Sequence, residues 1–191
     1  TELVIAHDHG AYERLGGTLD DAAGEAFDKV ARMLDLGYPG GPAIEAAAKD
    51  GQAYTFDLPR AWLPGTYDFS FSGLKTAVLR QLRPYSGPRP PRLTADMAAA
   101  FQASVVEVLA EKTAQAAEAF DVTAVLLSGG VSANQALRRA VRERVALPVH
   151  TLPLVLCTDN GAMIAAAGTY RYPAQAHTAW DLDIEPGLAL A

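Results

Sequence analysis

The residues best equipped for chemistry lie in short segments that combine glycine with carboxylate or amide side chains. Ser128-Gly129-Gly130 follows an apolar run from Val122 to Leu127 and precedes a stretch of helical period. Strand, glycine turn and helix make the physical layout of an anion site. Glycine lets backbone N–H groups approach a phosphate, and the helix N-terminus adds partial positive charge. A tight turn with no ligand has the same sequence. Asn134 is expected in the first turn of the following helix, where its amide could bond a ribose or a base edge, or face solvent.

Asp21, Glu25 and Asp28 fall at helical spacings after Asp20, which puts three carboxylates on one face. Like charges in register cost helix stability, so the face invites sugar hydroxyls, although a helix N-terminus tolerates acids unaided. Asp28 is the strongest of the three, because Gly40-Gly41 should return close to the end of that helix. Asp159, in Cys157-Thr158-Asp159-Asn160-Gly161, stands where capping alone would place an Asp. A metal role there needs His or further carboxylates. His7 and His9 lie one strand-period apart in a predicted turn, without a run of further ligands. His150 and His177 stand alone. Cys157 has no base placed beside it and reads as a small buried side chain.

These residues need elements to hold them. Glu2 to Ala6 and Tyr12 to Thr18 read as a hairpin turned at His7 to Gly10. Leu19 to Leu36 has helical period and should stop at Gly37. A short helix, Ala43 to Lys49, follows the rigid Tyr38-Pro39-Gly40-Gly41-Pro42. Residues 51 to 71 read as loop, Ser72 to Arg83 as helix, and the Pro-rich residues 84 to 92 as a surface connection. Thr94 should cap a long helix to Phe120, with Met97, Phe101, Val105, Val108 and Leu109 on its buried stripe. Val122 to Leu127 reads as a strand buried on both faces, Val131 to Val145 as helix, and Pro148 to Leu156 as containing a strand. Thr158 should cap a last helix, Gly161 to Tyr170, before an irregular tail from Pro173. Strands alternating with helices predict an α/β domain with a mixed sheet covered by helices.

With 191 residues, half of them hydrophobic, the chain can bury a substantial core. No stretch comes near the ~20 apolar residues of a membrane helix, and no basic leader opens the chain. One cysteine excludes an internal disulfide framework and a cysteine zinc site, so a reducing, cytoplasmic setting is expected. A net charge of −6 argues against nucleic-acid binding over the whole surface. It leaves room for local patches, such as Arg138, Arg139, Arg142 and Arg144 on one helix, or Arg80, Arg83, Arg89 and Arg92 around the Pro-rich loop.

Five segments occur in order and in register: residues 17–29 (Gly-Thr-Leu-Asp-Asp-Ala-Ala-Gly-Glu-Ala-Phe-Asp-Lys), Tyr38 to Pro42, residues 68–76 (Asp-Phe-Ser-Phe-Ser-Gly-Leu-Lys-Thr), Gly129 to Asn134, and Cys157 to Ile164. Together they closely resemble the tRNA threonylcarbamoyladenosine transferases of bacterial TsaD type, formerly called O-sialoglycoprotein endopeptidases, over essentially the whole chain. The resemblance implies an actin-like, sugar-kinase-type (ASKHA) fold of two lobes with a nucleotide cleft between them. Residues 1–191 would be the C-terminal lobe, with a helical and loop insertion at about 43–92. The implied reaction moves a threonylcarbamoyl group from threonylcarbamoyl-AMP to the adenosine 3′ of the anticodon in ANN-decoding tRNA. Asp28, Gly41 and Asn134 match the family's adenylate-binding positions, with Glu25, Gly129 and Gly130 as possible further nucleotide contacts. Asp159 matches its metal-ligand aspartate, the metal being iron or zinc.

The resemblance also implies partners: a paralogous ASKHA protein and a small ATPase. Lys75 and the arginine clusters are the candidate tRNA contacts. The family's N-terminal lobe, with its phosphate loop, His-x-x-x-His pair and Ser-Gly-Gly-His-Thr segment, is expected to be absent. With it would go the first strand of this lobe and two of three protein metal ligands. Two other readings stay open: a metallopeptidase, for which no His-Glu-x-x-His is present, and a non-catalytic nucleotide-binding or assembly module.

Overall fold

Alternating residues from Glu2 to Gly17 do form a hairpin in the structure, a computed structural model that describes residues 1–85, 87, 90–172 and 183. Arg89, His177 and most of the tail from Pro173 lie outside the described residues. Strand β1 (Glu2–Asp8) pairs antiparallel with β2 (Ala11–Gly17). β1 runs two residues further than the sequence suggests and β2 is shifted one residue towards the turn, because Asp8 faces Ala11 and the loop shrinks to His9-Gly10. Gly10 takes φ +83°, a conformation that costs glycine little.

Helix α1 (Ala23–Met33) is shorter at both ends than its apolar period. Asp20 and Asp21 precede it, so the acidic face keeps only Glu25 and Asp28. It stops where Asp35 adopts a left-handed φ of 58°. There the Leu36 N–H returns to Ala31 O at 3.0 Å and the Asp35 N–H to Arg32 O at 3.3 Å. This crossed pair satisfies the terminal carbonyls before Gly37 is reached. Helix α2 (Gly40–Ala48) begins at the glycines rather than at Ala43, since Pro42 is tolerated in a first turn whose N–H groups have no helical partner. Helix α3 (Ser72–Leu82) falls where the period puts it.

Helix α4 (Pro91–Ala119) starts on proline instead of Thr94, because the missing N–H and fixed φ of proline suit the first helical position. Its 29 residues would span ~44 Å at the α-helical rise. Met97, Phe101, Val105 and Val108 are buried with Phe27, Ile44, Leu58, Phe69 and Val78 in one hydrophobic core. By length and composition α4 is apolar enough to cross a membrane, contrary to the expectation that no stretch comes near that. However, 61% of its most apolar window is buried inside the protein, so its apolar side chains are matched by the protein's own core.

Strand β3 (Val125–Leu127) pairs in parallel with β4 (Val149–Thr151). Between them come a 3₁₀ turn, Gly130–Ala133, and α5 (Gln135–Arg144). Leu137, Val141 and Val145 pack with Val106, Ala110 and Ala117 of α4 in a second core. A 3₁₀ turn, Leu154–Leu156, leads to α6 (Gly161–Arg171). Asn160, not Thr158, caps α6, its Oδ1 accepting from the Met163 N–H at 3.0 Å. No α6 residue is buried, and the His9 ring stacks on Tyr170 at 3.5 Å.

The fold is mixed α/β, but a single mixed sheet does not form among the described residues. The strands make two separate pairs. A cleft of about 1100 Å³ lies between them, lined by β1 on one side, β3 on the other and Leu109, Thr113 and Ala116 of α4. Leu126 lines this cleft and is 72% exposed, so β3 is not covered on both faces as expected.

Asp20 ties the hairpin end to α3. Its carboxylate accepts from the Phe71 N–H at 2.8 Å, the Ser72 N–H at 3.2 Å and the Ser70 and Ser72 hydroxyls, capping α3 from 50 residues away in sequence. Desolvation pushes its pKa up, but these four bonds outweigh it and hold the pKa at about 2. The folded state therefore binds this proton less readily than the unfolded chain. The stabilisation is complete above the unfolded value of 3.8 and disappears as pH falls towards about 2. Asp20→Ala should cost ~1–2 kcal/mol at neutral pH, measured by denaturant unfolding. The gap from the parent protein should close across that acid window, and a gap independent of pH would contradict the cap.

Candidate functional site

Asp28 and the glycine turn meet as the sequence implies. The Gly40 N–H donates to Asp28 Oδ1 at 2.8 Å. A Cβ built on Gly40 would come within 2.5 Å of the Asp28 Cα and 2.8 Å of Phe27 O, so only glycine allows α2 to begin against the α1 backbone. Asp28, Arg32, Asp35, Gly37 and Tyr38 line a recess of about 470 Å³ beside this contact. Gly41 lies next in the chain, and a Cβ there would meet nothing within 4 Å.

The second glycine turn is held by different means. Gly129 takes φ +83°, a region that side chains rarely occupy, and is exposed with Gly130. Asn134 is the residue before α5 rather than within its first turn. Its Oδ1 accepts from the Leu137 N–H at 3.0 Å and its Nδ2 donates to Gln102 Oε1 at 2.8 Å. One N–H and one lone pair of that amide remain for another partner. The two turns are linked by Glu45, which carried no signal in the sequence: its Oε1 accepts from the Gln135 N–H at the start of α5, at 2.7 Å. A carboxylate there complements the positive end of the helix. At the other end of this surface, a Cβ on Gly24 would sit 3.4 Å from Val131 Cγ2. The ends of α1, α2 and α5 thus converge on the 129–134 turn.

Within the acidic run, Asp21 and Glu25 are paired with lysines. Lys29 reaches Asp21 at 2.8 Å and Glu25 at 2.7 Å, and Lys75 reaches Asp21 at 3.3 Å. The Lys29 hydrogen bond, with Lys75 behind it, holds the Asp21 carboxyl below its usual range despite desolvation. Lys75 therefore points into this network. The arginine cluster of α5 also divides. Arg138 is buried, Arg142 donates to Thr151 Oγ1 at 3.0 Å and Arg144 pairs with Glu111 at 3.6 Å, leaving Arg139 as an exposed cation.

Asp159 is exposed in the turn before α6. Among the described residues no three His, Cys, Asp or Glu side chains lie close enough together to hold a metal ion. Asp159 therefore stands apart from any group of three such side chains among the described residues. His7 is paired with Glu13 at 3.1 Å, His9 is stacked on Tyr170, and His150 is exposed on β4. Cys157 is buried, with Ser132 Oγ and Arg138 Nη2 donating to its sulfur.

Comparison with known proteins places this architecture. A profile of the tRNA N6-adenosine threonylcarbamoyltransferase family, TsaD, matches residues 1–166. A protein of that name from Thermomicrobium roseum is 54% identical over 211 aligned residues, which cover 100% of this chain and 57% of that protein. The Bacillus subtilis relative is 50% identical over 195 residues, 100% of this chain and 56% of that protein. The chain belongs to the TsaD family of transferases, and it spans a little over half the length of these relatives. A crystal structure of T. kodakarensis HypF shares the fold, with a TM-score of 0.59 and 22% identity, covering 80% of this chain and 20% of that one.

The close approach at Asp28 has a direct test. Gly40→Ala should destabilise the protein by ~1–3 kcal/mol, the usual cost of overpacking. Gly41→Ala, with open space around it, should be neutral or gain up to ~1 kcal/mol of helix stability. Equal denaturation midpoints for the parent and Gly40→Ala would remove the contact from the account.

Proposed function

We propose that this chain works as one part of a tRNA-modifying transferase, holding the adenylate of the threonylcarbamoyl-AMP donor on the surface where the ends of α1, α2 and α5 converge. The observation that carries the proposal is a pair of bonds to carboxylates: the Gly40 N–H of the first glycine turn to Asp28 at 2.8 Å, and the Gln135 N–H, at the start of α5 just after the second turn, to Glu45 at 2.7 Å. They hold carboxylates with lone pairs to spare for ribose hydroxyls, while the exposed backbone at Gly129 and Gly130 is left for a phosphate, at the positions that match the family's adenylate motif. In this reading Asp28, Gly41 and Asn134 bind the donor, and Glu25, Glu45, Gly129 and Gly130 border it.

Transfer requires no covalent enzyme intermediate. The N6 amine of the tRNA adenosine attacks the carbamoyl carbonyl carbon, the new C–N bond forms, and the C–O bond to AMP breaks. AMP carries away the electron pair, and the amine proton passes to solvent or a base. The role of the chain is to bind and orient, which lowers the entropic barrier of a two-substrate reaction. Asp159 supplies one donor for an iron or zinc ion, and the remaining donors come from the polypeptide that accounts for the extra length of the relatives. The cleft between β1 and β3 suits an added strand from that same polypeptide. A paralogous ASKHA subunit and a small ATPase complete the assembly in the cytoplasm, and the exposed Arg80, Arg83 and Arg139 offer cations for tRNA phosphates.

Mass spectrometry of nucleosides from ANN-decoding tRNA tests this. The 191-residue chain alone should give no threonylcarbamoyladenosine, and calorimetry should find no metal binding of micromolar affinity or tighter. The chain joined to the remainder of the Bacillus subtilis relative, in place of the matching segment, should restore the modification. Transfer or tight metal binding by the isolated chain would contradict the partial-site reading. A folded chimera that binds tRNA without modifying it would contradict the functional one.

A further inference from the structure

Arg138 sits on α5 and is 8% exposed, an unusual place for a guanidinium. Among the described residues it has no carboxylate partner in any ion pair. A buried charge without a counter-ion is costly and persists only where its hydrogen bonds are well satisfied. Its Nε donates to Ser132 O at 2.5 Å, and its Nη2 donates to Leu152 O at 2.8 Å and to Cys157 Sγ at 3.2 Å. These acceptors come from two separate loops. Ser132 belongs to the 129–134 turn, whereas Leu152 and Cys157 lie on the segment that leads from β4 to Asp159.

We infer that Arg138 is a positioning residue that fixes the spacing between the 129–134 turn and the turn carrying Asp159. Besides the guanidinium, the polar link between these loops is the bond from Ser132 Oγ to Cys157 Sγ at 3.4 Å, and a thiol is a weak partner. The planar fork of arginine reaches all three acceptors at once from a single side chain. A lysine ammonium in the same place is a compact point charge that lacks this fork geometry. Because α5 is packed in the second core through Leu137 and Val141, the fork transmits the rigidity of the helix to both loops. The inference rests on the proposed reading that the 129–134 turn borders the donor and that Asp159 serves the same site, and it adds a residue that touches neither donor nor tRNA.

The test uses Arg138→Lys in the full-length polypeptide that carries this chain, with two readouts. The first is the rate at which Cys157 reacts with a small aromatic disulfide. Loosening the clamp should expose the thiol and raise that rate about tenfold or more, with the melting temperature recorded to show that the protein remains folded. The second is steady-state transfer to tRNA. Loss of a supporting contact costs about 10- to 100-fold in activity, expected here in kcat with the KM for the donor little changed. A merely structural defect would lower the amount of active protein without altering the reactivity of the sulfur in the folded fraction. Unchanged Cys157 reactivity in the folded variant would overturn the clamp. Faster thiol reaction with parental kcat would show that the clamp exists but positions nothing needed for transfer, which also overturns the inference. A parent protein that reacts normally at Cys157 yet transfers nothing would sink the functional reading, and with it the positioning role built on that reading.

Discussion

Both hydrophobic cores are built on the same helix, and this constraint governs the rest of the molecule. The N-terminal half of α4 buries Met97, Phe101 and Val105 against α1, α2 and α3, and its C-terminal half buries Ala110 and Ala117 against α5. A helix that serves two cores has few faces left for solvent, and α4 accordingly buries Asp96, Ser104 and Lys112 as well. Each has a partner. Asp96 accepts from the Gln52 N–H at 2.8 Å, Ser104 donates to Ala100 O at 3.0 Å, and Lys112 donates to Thr66 O at 2.6 Å. Burial pushes the Lys112 pKa down. The cost of desolvating that ammonium is offset by fixing the irregular segment before Phe69 against the helix.

The surface proposed for the donor follows from this arrangement. Helices α1 and α2 are seated on one half of α4 and α5 on the other, so their ends approach one another at a seam beside α4. Gln102, near the middle of α4, reaches that seam through Asn134, and Glu45 crosses it to the start of α5. Among the described residues the two strand pairs do not join as one sheet, and both line a cleft with α4. That is why a broad cleft floored by α4 separates them, while the glycine turns remain ordered by helix packing.

Much of this was legible in the sequence, and the exceptions share a cause. The hairpin, α3, the stripe of α4 and the return of Gly40 towards Asp28 follow from local period and turn chemistry. What local pattern could not supply was the identity of distant partners. Asp20 and Asp21 look like the first turn of a helix, but Asp20 is drawn off to cap α3 and Asp21 to bind two lysines. Arg138 looks like one of four surface cations, yet two of its acceptors, Leu152 O and Cys157 Sγ, lie beyond β4 and come near only through the tertiary fold. Glu45 looks like an ordinary residue of a short helix. Its role depends on the distance between α2 and α5, which no local spacing encodes. Strand β3 has the apolar run of a buried strand, and its exposure depends on what lies across the cleft.

The central claim is that Asp28 and Asn134, brought to one seam by α4, face the same adenylate. Equilibrium binding of a non-reactive acyl-adenylate analogue to the full-length polypeptide tests it most directly. Asp28→Asn and Asn134→Ala should each weaken binding by about tenfold or more, since a hydrogen bond to a charged or buried polar group is worth ~1.5–3 kcal/mol. Undiminished affinity in a folded Asp28→Asn protein would contradict the account.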